Sequence, residues 1–79
     1  MTTGGTLADV RGRWYRQEEI PGILLRLNDG VLVLSEEYSG ATGCVISIEA
    51  LEPEPSYLVE LGDGRGDLIV RQSNLRHLA

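Results

Sequence analysis

The stretch YSGATGCVISI, residues 38–48, places two glycines three positions apart just before an apolar run. Gly40 and Gly43 permit a tight bend or a bulge that a side chain with a Cβ would resist. The segment that follows, CVISIEAL, contains the β-branched residues that favour strands. The stretch therefore predicts a glycine-marked entry to a β-hairpin.

Upstream of this stretch, GILLRLNDGVLVLS (residues 22–35) has two apolar runs around Asn28, Asp29 and Gly30. These residue types suit the positive φ angles of a tight hairpin turn, so the two runs are predicted to be paired strands. Both runs are nearly continuous in hydrophobicity rather than alternating. This pattern predicts strands that are covered on both faces, by the fold itself or by a partner subunit.

Downstream, EPEPS (residues 52–56) cannot be a central strand, because proline donates no ladder hydrogen bond. YLVEL and LIVR are interpreted as strands around the turn GDGRGD, and QSNLRHLA predicts a short 3₁₀ turn followed by a final strand. About five strands joined by short loops are typical of a small barrel. The sequence predicts an all-β fold with a barrel over residues 23–79.

The first 22 residues have a different character. Residues 1–6 are small and polar, and predict a flexible arm. Thr6 followed by Asp9 resembles the capping box of a helix N-terminus, and Pro21 stops any helix. Residues 7–22 are therefore predicted to be a short helical or irregular segment, with an extended strand as the alternative. Gly12 weakens the helix by about 1 kcal/mol.

Length and composition set further bounds. A chain of 79 residues makes a single domain, and one this short buries only about 60% of its unfolded surface. A single cysteine allows no intrachain disulfide, and the one histidine cannot build a zinc site, so no metal or cofactor is predicted. The 23 Leu, Ile and Val residues are generous for this length. Subunit association is one way to bury the surplus.

The net charge of −5 argues against a sequence-independent nucleic-acid binder, which needs excess Lys and Arg. All seven basic residues are arginine, which fits either a GC-rich genome or ion pairs at an interface. The opening residues lack the features of a signal peptide, and no apolar run is long enough to span a bilayer. We therefore expect a protein of a bacterial-type cytoplasm, without a membrane partner.

The pattern GVLVLSEEYSGATGCVISI…YLVEL…LIV…L resembles the SH3-like barrels of the KOW and nitrile-hydratase-β type over about residues 30–78. The matching positions are Val31, Val33, Gly40, Gly43, Val45, Tyr57, Val59, Ile69 and Leu75. The resemblance implies a five-stranded SH3-like fold. It says little about activity, because one fold hosts many functions.

The stretch from Gly43 through LEPEPSYLVE to Leu75 is also similar to the plasmid-borne type B dihydrofolate reductases, which are short SH3-like chains with one active site at the pore of a tetramer. The resemblance implies a barrel that associates. Where that family has glutamine and tyrosine in its pore-lining strand, this chain has Leu68 and Val70. The pore lysine is also missing, since the chain contains no lysine. The reductase activity is therefore not expected.

Residues suited to catalysis are few. Cys44 and His77 form the only Cys/His pair, and a nucleophile needs both a base and an orienting group beside it. The acids Glu36, Glu37, Glu52 and Glu54 lie in predicted loops, where a solvated face is the simplest interpretation. The sequence favours a non-catalytic protein and predicts no catalytic residue.

The segment RGRWYR is the best surface candidate, because its arginines interleave with two aromatic residues. Such groups can anchor a protein partner or stack on bases. The alternative is that Trp14 covers one end of the barrel while the arginines pair with the acidic middle of the chain. The predicted partner-binding residues are Arg11, Arg13, Trp14, Tyr15, Arg16 and, in a loop, Tyr38.

These observations predict a small binding or assembly module that contacts a protein partner or itself. If so, the Trp14→Ala variant should lose its partners and keep its fold. The alternatives are an oligomeric minimal enzyme with a site at the subunit interface, and a KOW-like module associated with nucleic acid. RNA binding that weakens steeply with salt would mark the last of these.

Overall fold

One antiparallel sheet and one short helix make up the computed structural model, which describes residues 6–78. The elements are helix α1 (Leu7–Tyr15) and strands β1 (Gly30–Val33), β2 (Thr42–Ala50), β3 (Ser56–Leu61), β4 (Asp67–Arg71) and β5 (Leu75–His77), with 3₁₀ turns at Glu36–Tyr38 and Gln72–Asn74. The all-β prediction is confirmed, and so are the 3₁₀ turn and final strand at the C-terminus. Apart from Thr6, the predicted flexible arm lies outside the described residues.

Helix α1 begins with the predicted capping box. The Thr6 hydroxyl accepts a hydrogen bond from the Asp9 main-chain nitrogen at 3.3 Å, and the Asp9 carboxylate accepts one from the Thr6 nitrogen at 3.4 Å. The helix buries Val10 and Trp14, and Trp14 packs in the core with side chains of the sheet. The helical interpretation of this segment is therefore confirmed, and the extended-strand alternative is wrong. The helix ends at Tyr15, well before Pro21.

The strands are ordered β4-β3-β2-β1-β5, so the last strand returns to pair with the first. All the pairings are antiparallel, and β2 has two register irregularities against β3, between Val45 and Ser47 and between Ile48 and Ala50. This order leaves β4 and β5 as the two edges of the sheet. Strands β1 to β4 are neighbours in the sheet in the same order in which they follow one another along the chain.

The two glycines of the opening stretch serve different purposes. Gly40 has a φ of +89° and makes the turn before β2, a conformation that side chains with a Cβ disfavour. Gly43 lies within β2, between Val31 on one neighbouring strand and Leu61 on the other. A Cβ on Gly43 would lie 2.3 Å from the carbonyl oxygen of Glu60, so only glycine allows the strands to come this close.

The core lies on one face of the sheet, under α1. Its fully buried side chains come from the helix and from three strands: Trp14, Val31, Val33, Val45, Ile48, Tyr57 and Val59. Burial alternates along β1 and β3, as expected of strands with only one covered face. Cover of both faces by the fold itself is therefore wrong, and Leu34 is exposed. Cover by a partner subunit stays a prediction.

The first run of the predicted upstream hairpin does not form a strand. Residues 23–29 form no strand. Side chains bond the main chain of residues 24–26, whereas Asn28 and Asp29 bond to the main chain of Val45 on β2. The Trp14 indole donates to the Leu25 carbonyl, the Gln72 side chain accepts from the Leu24 nitrogen, and Asp29 accepts from the Arg26 nitrogen. Asn28 does have the predicted positive φ, +71°, but it leads into β1 from an irregular segment. The strands therefore begin at Gly30 and not at residue 23.

No helix within residues 6–78 combines the length and the apolar character needed to cross a membrane.

Candidate functional site

Two of the residues predicted to bind a partner, Arg11 and Trp14, hold α1 in the fold. Arg11 donates through Nε and Nη2 to the carbonyl oxygen of Ile48, at 3.2 and 2.9 Å, which ties the helix to β2. Trp14 is only 1% exposed. The assignment of Trp14 to a partner-binding surface is therefore wrong. The error arose because the sequence does not show which face of the helix packs on the sheet.

Arg13 and Arg16 share one local partner. Their Nε atoms lie 3.2 and 2.8 Å from the two carboxylate oxygens of Glu18. The hydrogen bonds from Arg16 and then from Arg13 hold the pKa of Glu18 below its usual value. Exposed ion pairs of this kind contribute little to stability. The two arginines pair with an acid, as the alternative interpretation of RGRWYR expected.

Tyr15 and Tyr38 are in different places. Tyr15 is 43% exposed on α1, its hydroxyl is 3.4 Å from the Ile46 carbonyl oxygen, and its ring meets Trp14 edge-on. Tyr38 lies in the 3₁₀ turn between β1 and β2, with the Arg65 guanidinium 5.0 Å from its ring centroid. The structure thus links Tyr38 to the β3–β4 turn.

A groove of about 530 Å³ runs between α1 and the loop from β2 to β3. Its walls come from Val10 and Arg13 on the helix, from residues 20–23, and from residues 51–55. Two of the charged groups at this groove are already engaged, since Arg13 pairs with Glu18 and Glu54 accepts two hydrogen bonds from Ser73. The groove therefore offers mainly apolar contact and little that would select one ligand.

Strand β4 presents an open main chain at one side of the sheet. The Gln72 nitrogen donates to the Pro55 carbonyl, and the Leu61 nitrogen donates to the Gly66 carbonyl. Because hydrogen-bonded and non-hydrogen-bonded pairs alternate in an antiparallel ladder, the main-chain groups of Leu68 and Val70 face β3. Those of Asp67, Ile69 and Arg71 therefore point away from the sheet. Within residues 6–78 they have no hydrogen-bond partner.

The side chains of β4 follow the same alternation. Val70 is buried and Leu68 partly buried, whereas Asp67, Ile69 and Arg71 are exposed. Ile69 is 61% exposed, although isoleucine is among the residue types most often buried. We name the outward main chain of residues 67, 69 and 71, together with these three exposed side chains, the β4 edge.

Space is open beside the β4 edge. A groove of about 410 Å³ separates residues 68–71 from the turn that contains Ser35, Glu36, Glu37 and Tyr38. Natural sheets usually protect an edge with charged side chains, proline, a bulge, a short strand or a covering element. The charged Asp67 and Arg71 lie on either side of Ile69, but β4 is five residues long and contains neither proline nor a register irregularity.

The opposite edge strand, β5, offers less main chain to which another strand could pair. It is three residues long, and its last residue, His77, has its ring Nε2 3.2 Å from a carboxylate oxygen of Asp29. The following residue, Leu78, donates its main-chain nitrogen to the Gly30 carbonyl. Of the two edges, β4 is therefore the longer continuous one.

Sequence reasoning missed the β4 edge, although it identified LIVR as a strand. Whether a strand is central or at an edge depends on the order in the sheet, and a lone strand carries little signal of that order. The sequence shows only an apolar run at residues 68–70, and the exposure of Ile69 becomes visible only in the structure.

Of the residues considered for catalysis, Cys44 is a free, half-buried cysteine on β2, and His77 lies beside Asp29 at the end of β5. In the part of the chain that the structure describes, no three His, Cys, Asp or Glu side chains are grouped to hold a metal ion.

No family model, curated protein or solved structure matches this chain. The fold and the surface together define a small all-β protein with one long unpaired sheet edge.

Proposed function

We propose that this protein is a small, non-catalytic binding and assembly module that contacts a protein partner, or another copy of itself, through the β4 edge. The observation that carries the proposal is the unpaired outward main chain of Asp67, Ile69 and Arg71. An extended segment that adds to such an edge gains main-chain hydrogen bonds, and its side chains add specificity.

The exposed Ile69 supports the same conclusion. A strand paired with β4 would place a side chain beside Ile69 on the same face and remove part of its apolar surface from water, which is favourable. The proposal moves the contact from α1 to β4, because Trp14 is in the core and Arg11 is bonded to Ile48. It retains the SH3-like resemblance as the proposed fold type, supported by the return of β5 beside β1.

The test uses proline at the centre of the edge. The Ile69 nitrogen points outward, so Ile69→Pro removes a donor from the edge without removing a bond to β3. Ile69→Ala keeps that donor and shortens only the side chain. Tyr15→Ala, on the exposed face of α1, is the control for the helix surface.

The wild-type chain and the three variants are used to capture partners from the native host, and hydrogen exchange is measured in the captured complexes. We expect the partner, or a second copy, to be lost with Ile69→Pro, weakened with Ile69→Ala and kept with Tyr15→Ala. The amides of Asp67, Ile69 and Arg71 should become protected on binding. Full retention by a folded Ile69→Pro variant would show that the β4 edge is not the contact.

A further inference from the structure

We infer that the segment which occupies the β4 edge is β4 of a second copy of this chain, paired antiparallel about a two-fold axis at Ile69. This inference rests on the proposed function and names its partner. It follows from the direction of the main-chain groups and from the positions of two charges on the strand.

The main-chain groups allow this register. Asp67, Ile69 and Arg71 all point outward, so they can act as the hydrogen-bonded positions of a new antiparallel ladder. With the two-fold axis at Ile69, this residue faces Ile69 of the second copy, and residue 67 faces residue 71. Every outward residue of β4 then finds an outward residue opposite.

The charges match in the same register. Asp67 and Arg71 lie two residues before and after Ile69, on the same exposed face as its side chain. An antiparallel pair therefore places Asp67 opposite Arg71 of the second copy, and Arg71 opposite its Asp67. Directly opposed side chains of opposite charge stabilise a pair of strands, whereas like charges destabilise it. Neither residue has an ion-pair partner among residues 6–78.

Other registers lose this match. An axis one residue away, at Leu68 or Val70, would place Ile69 opposite a charged residue of the second copy. A parallel pair would place Asp67 beside Asp67 of the second copy and Arg71 beside its Arg71, so like charges would be adjacent. The charges of Asp67 and Arg71 hinder pairing with most other strands. They match those of β4 from a second copy that runs in the opposite direction.

The net charge of −5 on each chain opposes association at long range. At physiological ionic strength the Debye length is about 8 Å, so this repulsion is largely screened, while close pairs across adjacent strands are affected less. We therefore place the experiment at physiological salt.

The experiment reverses one charge at a time. Asp67→Arg gives a strand with two positive ends, and Arg71→Asp gives a strand with two negative ends. In a homodimer, each variant would therefore place like charges directly opposite each other. A mixture of the two restores an opposite-charge pair at both ends, as does the double variant Asp67→Arg/Arg71→Asp within its own homodimer.

We expect the wild type to dimerise in sedimentation-velocity and light-scattering measurements. The dimer dissociation constant should rise at least about tenfold in each single variant, since both cross-strand pairs change sign. The mixture and the double variant should associate close to the wild-type level, and native mass spectrometry should show a mixed dimer. Circular dichroism confirms that each variant is folded before it is compared.

Three outcomes would overturn the inference. The first is a wild-type chain that remains monomeric up to its solubility limit. The second is single variants that dimerise as well as the wild type, and the third is a mixture that forms no mixed dimer. If the wild type is monomeric and Ile69→Pro still loses a different captured protein, the proposed function stands and only the self-pairing fails.

Discussion

The indole nitrogen of Trp14 donates a hydrogen bond to the carbonyl oxygen of Leu25 across 2.8 Å, inside the core. The Trp14 ring also packs against Tyr57, with 6.3 Å between ring centroids. One side chain therefore joins α1 to the irregular segment before β1 and to β3. It explains why residues 23–27 are not a strand, since a carbonyl bonded to an indole is not available to a ladder.

Replacing Trp14 tests this connection. Trp14→Phe keeps an aromatic ring but leaves the buried Leu25 carbonyl without its donor, so the free energy of unfolding should fall by about 1–3 kcal/mol. Trp14→Ala should cost about 3–5 kcal/mol and leave a chain of this size largely unfolded. The expectation that Trp14→Ala loses partners with its fold intact is therefore replaced. Urea denaturation followed by circular dichroism measures both variants.

Tyr15→Phe is the matched control for these variants. The Tyr15 hydroxyl is on the surface and 3.4 Å from its acceptor, so its loss should change stability by no more than about 0.5 kcal/mol. Equal stability of Trp14→Phe and the wild type would show that the buried hydrogen bond is unimportant.

Tyr57 predicts a loss of stability at alkaline pH. Burial raises the pKa of Tyr57 to about 12, from an ordinary value of 10.0. The hydroxyl of Tyr57 loses its proton at a lower pH in the unfolded chain than in the folded one. The contribution of the neutral Tyr57 hydroxyl to stability is therefore fully present below pH 10 and is lost as the pH rises from about 10 to 12. The free energy of unfolding should fall on the order of 2 kcal/mol over this interval. Urea denaturation at a series of pH values measures it.

Tyr57→Phe separates this effect from other alkaline titrations. The variant should show a shallower decline above pH 10, since it has no buried hydroxyl to ionise. Parallel declines in the two proteins would assign the alkaline sensitivity to other groups.

Gly43 and Gly12 should respond to alanine in opposite directions. Gly43→Ala would place a Cβ 2.3 Å from the Glu60 carbonyl oxygen and force β2 and β3 apart, at a cost of at least about 2 kcal/mol. At Gly12 the nearest atom to a new Cβ is the Arg16 Nη1 at 3.6 Å, an ordinary contact. Gly12→Ala should therefore stabilise α1 by about 1 kcal/mol. Thermal denaturation should show a lower melting temperature for Gly43→Ala and a higher one for Gly12→Ala. Shifts of both melting temperatures in the same direction would refute the argument.

Gln72 should be important for stability although it lies in a short 3₁₀ turn. Its Oε1 accepts from the Tyr57 hydroxyl at 2.5 Å and from the Leu24 nitrogen at 3.0 Å, and its Nε2 donates to the Gly22 carbonyl at 3.1 Å. Gln72→Met keeps the length of the side chain and removes these bonds, so it should cost about 1–3 kcal/mol.

Asn74→Ala in the same turn is the control for Gln72→Met. The Asn74 side chain has no hydrogen bond to any of residues 6–78, so its loss should change stability by no more than about 0.5 kcal/mol. Equal costs for the two variants, measured by urea denaturation, would mean that the turn itself, and not the Gln72 bonds, sets the stability.

Local signals account for the parts of the fold that sequence analysis predicted. Thr6 and Asp9 are three residues apart, and the capping box that they form needs no other part of the chain. Gly40 has the positive φ of a turn, and the prolines of EPEPS interrupt the sheet between β2 and β3. Each of these features depends on residues that are neighbours in sequence.

The errors have the opposite origin. Trp14 looked like a surface residue, and residues 23–27 looked like a strand, because both interpretations ignored partners far away in the chain. Leu24 meets Gln72, 48 residues later, and Arg11 meets Ile48, 37 residues later. Contacts at such separations exist only after the sheet has formed.

By itself, the sequence determined the all-β class and the glycine turns, and it indicated the helix cap at Thr6 and the final 3₁₀ turn, because dihedral preference and local hydrogen bonding act over a few residues. Only the tertiary structure decided that Trp14 is core, that Gln72 joins three segments and that Ile69 lies on an open edge. The physical reason is that burial and strand order depend on which distant segments pack together, and no short stretch of residues encodes that choice.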